Sequence, residues 1–230
     1  MTDAQAQRLW DRAIQVPEAG RIVEIGSFQG RSAIVLARAA RPSVEIVTID
    51  PHAGSDRGPR EIHGDPERGE SDHSRYFANL ARAGVANRIR HVRQASQAAG
   101  DQVEGPIDLL YIDGAHRFRP ALADIRSWGR RVADDGVMLI HDAYCSVGVT
   151  GAIAADLLSG RRFLYSGRVG SLAEYRQCTA GIAARAWSAV RQLGQIPWFL
   201  RNVMVKVLML MRLHPLTRLL GHRSNTLPPF

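Results

Sequence analysis

The sequence predicts an α/β chain with an open, mostly parallel sheet and helices on both faces, and three observations carry that prediction. The first is the stretch Ile22–Ala37, where the β-branched run Ile22, Val23, Ile25 gives way to a turn flanked by Gly26 and Gly30 and then to helical Ser32–Ala37. The second is the recurrence of short apolar runs, Val44–Asp50, Arg88–Arg93, Leu109–Ile112 and Val137–Ile140, separated by helical or turn-rich segments. The third is that two of these runs end in acids, Asp113 and Asp142, at the carboxyl edge where open α/β sheets bind their ligands.

Length and composition set the frame. The 230 residues suffice for one domain with a sizeable core and a small appendage, and 45% of them are apolar. Two cysteines, Cys145 and Cys178, and the lack of an apolar leader before the first strand lead us to expect a reducing, cytoplasmic setting. With no Cys/His cluster of zinc spacing, a metal site has to be built from carboxylates or scattered histidines. The net charge of +8 is unevenly spread: no acid follows Glu174, whereas Arg176, Arg185, Arg191, Arg201, Lys206, Arg212, Arg218 and Arg223 do. A basic face over the whole chain would suggest nucleic acid; a basic tail suggests an acidic surface or a protein partner, so no nucleic acid is expected. We therefore divide the chain into residues 1–178 and a basic amphipathic helical extension, 179–230.

Residues Thr2–Gln15, with Leu9, Trp10, Ala13 and Ile14 on one side, form an amphipathic helix that covers the sheet. The following glycine turn reads Glu24-x-Gly26-x-x-x-Gly30 rather than G-x-G-x-x-G, and the acid at the strand end would repel a pyrophosphate. It suits an ammonium group instead. Asp50 ends the second run about 20 residues on, placed to take two ribose hydroxyls or to cap the turn before Pro51. Pro51–Arg75, dense in Gly, Pro, His and charge, reads as a substrate-side lid, and its histidines His52, His63 and His73 as solvated groups or metal ligands.

Tyr76–Gly84 is a helix with a glycine stop, and the run Arg88–Arg93 leads to Ser96 and Gln97, two polar side chains able to contact a base or cap a helix. Leu109–Ile112 delivers Asp113, with His116 three residues beyond. Pro120–Arg131 is a helix, and Val137–Ile140 delivers His141 and Asp142. Two carboxylates brought side by side repel one another unless a cation relieves them, so Asp113 and Asp142 point to Mg²⁺. His141 would complete the set, an imidazole suiting Mn²⁺ better, or would orient a carboxylate or touch substrate. Tyr144 adjoins this site and is expected to line a substrate pocket. Gly151–Leu158 reads as a helix, Phe163–Val169 and Ser171–Gln177 as strands.

Together these segments resemble metal-dependent class I S-adenosylmethionine-dependent O-methyltransferases, most nearly the bacterial sugar and macrolide enzymes and more distantly catechol O-methyltransferase. The likeness runs from Ile14 to Gln177. It implies a Rossmann-like class I methyltransferase fold: a seven-stranded, mostly parallel sheet with one antiparallel strand. It implies S-adenosylmethionine held by Glu24, Gly26, Ser27, Ser32, Asp50, Ser96, Gln97 and Asp113, and Mg²⁺ or Mn²⁺ held by Asp113, His141 and Asp142. His116 takes the general-base position. The family's third metal ligand is an Asn after the second acid or an acid before it; here Ala143 and His141 stand there. The implied acceptor is a small-molecule or oligosaccharide hydroxyl with a vicinal oxygen, of a sugar or glycoside, with a catechol-like phenol as the alternative. The arginine-rich composition suggests an actinobacterial glycoside or polysaccharide such as methylmannose polysaccharide. A non-catalytic binding protein on the same fold is the rival from outside enzymology.

In the tail, Ile196–Leu213 is interrupted by Arg201, Lys206 and Arg212 and does not span a membrane. Phe199, Val203, Val207, Leu210 and Met211 share a helical face, with Arg201, Asn202, Lys206 and Arg212 away from it. We expect that apolar face to be buried, on the domain or in a homodimer, the alternative being an acidic membrane surface. Thr226–Phe230 is expected to be a loose end.

Overall fold

A computed structural model describes residues 1–55 and 64–222. Part of the expected lid, His63 included, therefore lies outside the described residues, as do Arg223 and Thr226–Phe230.

The chain runs α1 (Asp3–Gln15), β1 (Arg21–Ile25), α2 (Arg31–Ala39), β2 (Glu45–Ile49), α3 (Pro66–Arg82), β3 (Ile89–Val92), β4 (Ile107–Ile112), α4 (Phe118–Gly129), β5 (Val132–Ile140), α5 (Val147–Asp156), β6 (Phe163–Val169), β7 (Leu172–Gln177), α6 (Ile182–Leu193), α7 (Ile196–Leu210) and α8 (His214–Thr217). The seven strands form one sheet in the order β3-β2-β1-β4-β5-β7-β6. β7 pairs antiparallel with both neighbours, and the other pairings are parallel, as expected. Because the chain leaves β1 in one direction for β2 and β3 and returns on its other side as β4, the carboxyl ends of β1 and β4 flank the switch point where such sheets open a crevice.

The sheet is buried on both faces, and side chains alternate between two apolar cores. Val23, Ile25, Leu110, Ile112, Met138 and Ile140 pack with Ile125 and Trp128 of α4 and with α5. Ile22, Ile46, Leu109 and Leu139 pack with Leu9 of α1, Leu36 of α2 and Leu80 of α3. α1 opens with a capping box, Thr2 accepting from the Gln5 N–H while the Gln5 side chain accepts from the Thr2 N–H. It is tied to β7 by Glu174, almost fully buried, which accepts from Arg8 at 2.6 Å and pairs with Arg12 at 2.9 Å.

Two expectations need correction. The stretch 66–75 is helical: α3 begins at Pro66, ten residues before the apolar signal at Tyr76. Asp65 caps it by accepting from the Arg68 N–H, and Pro66 occupies the first turn, where its missing N–H is harmless. Gly69 lets α3 press on the Pro51–Ser55 turn, since a Cβ there would sit 2.0 Å from the His52 carbonyl oxygen. The second concerns only whether the domain itself covers the apolar face of α7. Its buried residues are Asn202, Val205, Lys206 and Met209, while Val207, Leu210 and Met211 are exposed. Asn202 Nδ2 donates to the Tyr144 carbonyl at 3.2 Å and Lys206 Nζ to the Cys145 carbonyl at 2.7 Å. These polar anchors hold α7 with its apolar stripe outward. Among the described residues no helix is long and apolar enough to cross a membrane.

Candidate active site

A cleft of about 820 Å³ opens at the switch point, lined by Gly26 and Phe28 after β1, Asp50 and His52 after β2, Ser96 and Gln97 after β3, Asp113 and His116 after β4, and Asp124 on α4. Its floor depends on Gly26. That residue has φ +84°, and a Cβ would lie 2.2 Å from the Asp113 carbonyl oxygen, so only glycine lets the β1 turn cross the end of β4. The Asp113 N–H in turn donates to the Ile25 carbonyl at 2.8 Å, locking the two strand ends together.

The expected cofactor residues divide into two groups. Asp50 is on the cleft wall, its carboxylate accepting from the Phe28 N–H at 2.8 Å and the His52 N–H at 2.7 Å. It thus caps its own turn, ties down the β1 loop, and still faces the cleft. Ser96 and Gln97 are also on the wall, in a short 3-10 turn, and both donate to Asp124 Oδ1, at 2.5 and 3.1 Å. Glu24, Ser27 and Ser32 are buried behind the wall. Glu24, two residues from Ile22, faces the α2 side of the sheet, where Ser32 Oγ donates to one of its oxygens. Among the described residues its other oxygen has no partner, and neither has the Ser27 hydroxyl. Complete burial raises the Glu24 carboxyl to about 8; the Ser32 hydrogen bond works against this, and the charges of Asp113 and Asp50 add to it.

Asp113, His141 and Asp142 come together, one donor atom from each lying within 4.8 Å of the others. β4 and β5 are paired in register Ile112↔Ile140, so the residues that follow them emerge side by side. His141 Nδ1 is 3.1 Å from Asp113 Oδ1 and 3.1 Å from Asp142 Oδ1, while its Nε2 is buried without a partner. Burial alone would lower the pKa of this imidazole, but the two carboxylates raise it to about 10. Asp113 Oδ2 accepts from the Tyr111 hydroxyl at 2.8 Å. His116 Nε2 is 2.9 Å from Asp142 Oδ2, and its Nδ1 is buried without a partner. Here too burial lowers the imidazole's pKa, and Asp142 more than offsets that, leaving it raised. Asp142, 2% exposed, would be raised by burial, yet His116 and His141 hold its carboxyl far below the usual range. Two carboxylates, an imidazole and unsatisfied ring nitrogens suit a divalent cation, Mn²⁺ more readily than Mg²⁺ because of the imidazole.

The loop after β5 carries backbone strain at the site. Asp142 and Tyr144 both have φ +55°, and Phe28 and His52 on the cleft wall have φ +43° and +46°. Ser146 closes the loop: its N–H donates to the Asp142 carbonyl at 2.8 Å and its Oγ to the His116 carbonyl at 3.1 Å. The left-handed turn sends Tyr144 inward, away from the role expected of it. The side chain is 5% exposed and its hydroxyl is 3.0 Å from that of Tyr175, in the core.

Sequence reasoning missed Asp124 and Phe28. The first was readable: Asp124 sits on the stripe of α4 shared by Ala121, Ile125 and Trp128, an acid on a buried face. Phe28 has no such signal, since only the positive φ of the turn exposes it at the cleft. Two of the histidines read as solvated groups or metal ligands stack instead beside Asp50: the ring centroids of His52 and His73 are 5.1 Å apart, His52 is 5.1 Å from His91 of β3, and His91 is 4.6 Å from Tyr76.

The chain is similar to known proteins. The search of curated proteins matched a catechol O-methyltransferase of Mycobacterium tuberculosis, 32% identical over 152 residues, 64% of this chain and 59% of that protein. The match thus spans less than two thirds of the relative's length. Among solved structures, cofactor-bound Rv0187 from MTB superposes with a TM-score of 0.58 at 22% identity, covering 78% of this chain and 82% of the other. The O-methyltransferase TomG of Streptomyces achromogenes, in complex with SAM, gives 0.54 at 20% over the same shares. These two likenesses establish the fold. A protein-family model described as a methyltransferase domain matches residues 23–143, more than half of the sequence, from the middle of β1 to the loop just past Asp142. This chain belongs to that methyltransferase family.

Proposed function

We propose that the protein is an S-adenosylmethionine-dependent O-methyltransferase, assisted by a divalent cation, whose acceptor is a hydroxyl with a neighbouring oxygen, most simply on a sugar or glycoside. The observation that carries this reading is the meeting of Asp113, His141, Asp142 and His116 beside the switch-point cleft, whose wall Asp113 and His116 help to form while His141 and Asp142 lie behind it. A proton-accepting imidazole beside a cation-binding acid set is what deprotonation of a hydroxyl near neutral pH requires.

When bound, the cofactor supplies a sulfonium methyl group and the cation lowers the acceptor's pKa. The rest falls to this chain. Asp50 takes the ribose hydroxyls, and Ser96 and Gln97, held by Asp124, meet the base. Glu24 favours the cofactor's ammonium end electrostatically from behind the wall, a nearby cation restoring the negative charge that burial suppresses. Asp142 Oδ2 accepts from His116 Nε2–H and so orients the ring on the cleft wall, and the imidazole takes the acceptor's proton. Attack of the resulting oxyanion forms the C–O bond as the C–S bond breaks. The sulfur keeps the electron pair and leaves as a neutral thioether.

A catechol-like phenol is the second reading, favoured by the relative of that name and by Phe28, which lines the cleft. Calorimetric titration of S-adenosylmethionine, followed by transfer assays on sugars and on catechols with Mg²⁺, Mn²⁺ or excess chelator, tests both. Chelator-sensitive transfer to one acceptor class selects between them. Absence of cofactor binding removes the methyltransferase assignment of this cleft.

A further inference from the structure

We infer that the outward face of α6 and α7 lies in the plane of an anionic membrane and anchors the protein there. Both helices are amphipathic in the reverse of the usual sense. On α6 the polar residues turn inward: Ser188 Oγ accepts from the Tyr165 N–H at 2.9 Å, and Gln192 Oε1 accepts from the Tyr175 hydroxyl at 3.2 Å. On α7 Asn202 and Lys206 do the same. On α7 Val205 and Met209 join them inside, but many apolar residues of both helices are left outside. Ile182, Trp187, Val190 and Leu193 of α6 are 84, 64, 55 and 49% exposed, and Leu200, Met204 and Leu210 of α7 are 58, 51 and 67% exposed. At 3.6 residues per turn the exposed residues of each helix fall within about 140° of arc, a stripe rather than a scatter. The inward hydrogen bonds fix each helix in this orientation, so rotation cannot hide the stripe.

Charge decides what covers it. No acid follows Glu174, and among the described residues the arginines of this region bond to neutral groups rather than carboxylates. Arg185 donates to the Ser159 carbonyl, Arg191 to those of Tyr165 and Ser166, and Arg201 to that of Leu220. Arg212 and Arg218 are exposed just beyond α7. A second copy of this face would bring the same uncompensated charge against itself. A bilayer rich in anionic headgroups satisfies both requirements at once, taking apolar side chains into its interfacial zone and arginines at its surface. An exposed Trp suits the same depth. α7 is anchored on Tyr144 and Cys145, directly after Asp142, so the bilayer would lie about one helix diameter from the candidate metal loop.

The test is flotation of the full chain with vesicles of phosphatidylcholine alone and with about 30% phosphatidylglycerol added. The anionic vesicles should bind at least about tenfold more protein, and about 0.5 M salt should release most of it. Leu200→Glu with Val207→Glu, at outward positions, should abolish binding while the melting temperature holds. Arg212→Gln with Arg218→Gln should weaken it about fivefold per arginine without touching the apolar stripe. Equal binding to both vesicle types, or none, overturns the inference. So does a dimer in sedimentation velocity that the Leu200/Val207 variant dissociates, which gives the face to a second copy. Binding to a nucleic-acid duplex that the glutamates leave unchanged overturns it as well.

Discussion

His116 Nε2 and Asp142 Oδ2 meet at 2.9 Å although they belong to the loops after different strands, β4 and β5. The contact makes His116 an oriented group rather than a solvated one. His116→Gln keeps the size and a donor but loses the base. It should lower kcat by roughly 10²–10⁴ with S-adenosylmethionine affinity unchanged, read by steady-state kinetics and calorimetry. Unchanged kcat would show that another group takes the proton.

The acid set should bind a cation without help from the chemistry. Titrating Mn²⁺ into the full chain, followed by calorimetry, should show one site whose affinity falls at least about tenfold in Asp113→Asn. Equal affinity in both proteins would remove Asp113 from the site.

Asp124 brings a dependence on pH. Burial raises its carboxyl to about 6, with the Ser96 hydroxyl pulling the other way. A carboxyl raised on folding favours the native state below its unfolded pKa of about 4, and that contribution disappears as pH climbs through 6. Asp124→Asn keeps an oxygen for Ser96 and Gln97 and cannot ionise. It should therefore be stabilised relative to the parent by about 2–3 kcal/mol at pH 7 and by little at pH 4, measured by urea denaturation. No difference between the two pH values would count against an ionised Asp124 in the native protein.

His91 has the opposite sign. Burial first, then the neighbouring His52, lowers it to about 4. A histidine depressed on folding stabilises the native state above its unfolded pKa of about 6.5, and this is lost as pH falls through 4. The half-buried ring limits the effect by solvent screening to about 1–2 kcal/mol. His91→Phe, which keeps a ring beside Tyr76, should remove that acid-side slope from the thermal stability profile.

Gly26 has no tolerated substitute. Gly26→Ala meets a positive φ and the Asp113 carbonyl oxygen together, and should cost about 2–4 kcal/mol and displace the β1–β4 crossing. Circular dichroism melts and cofactor titration read the two effects separately.

What the sequence discloses follows the physics of each segment. The inner strands are short β-branched runs buried on both faces, so their positions, and with them Asp50, Asp113, His141 and Asp142 at their ends, are readable from composition alone. α3 was read short because Pro66–Arg75 has no apolar stripe, only a cap at Asp65 and a proline after it. Tyr144 was misdirected because a positive φ at Asp142 and at Tyr144 itself reverses the chain, and neither residue type announces that conformation. α7 shows the limit of helical-wheel reasoning. The wheel grouped Val207, Leu210 and Met211 on one side, but Phe199 of that group packs on the core and Val205 and Met209 are buried, because the carbonyls of Tyr144 and Cys145 seat Asn202 and Lys206 inward.

The carboxylate of Glu174 has a consequence for the order in which the protein is made. Arg8 and its acceptor are separated by 166 positions in the chain. On the ribosome the stripe of α1 can meet α2 early, but the ion pairs of Arg8 and Arg12 with Glu174 form only once β7 has cleared the exit tunnel. β1 to β5, with the loops that line the candidate cleft, emerge before that moment. Synthesis thus finishes the crevice before the ion pairs that fasten the opening helix to β7.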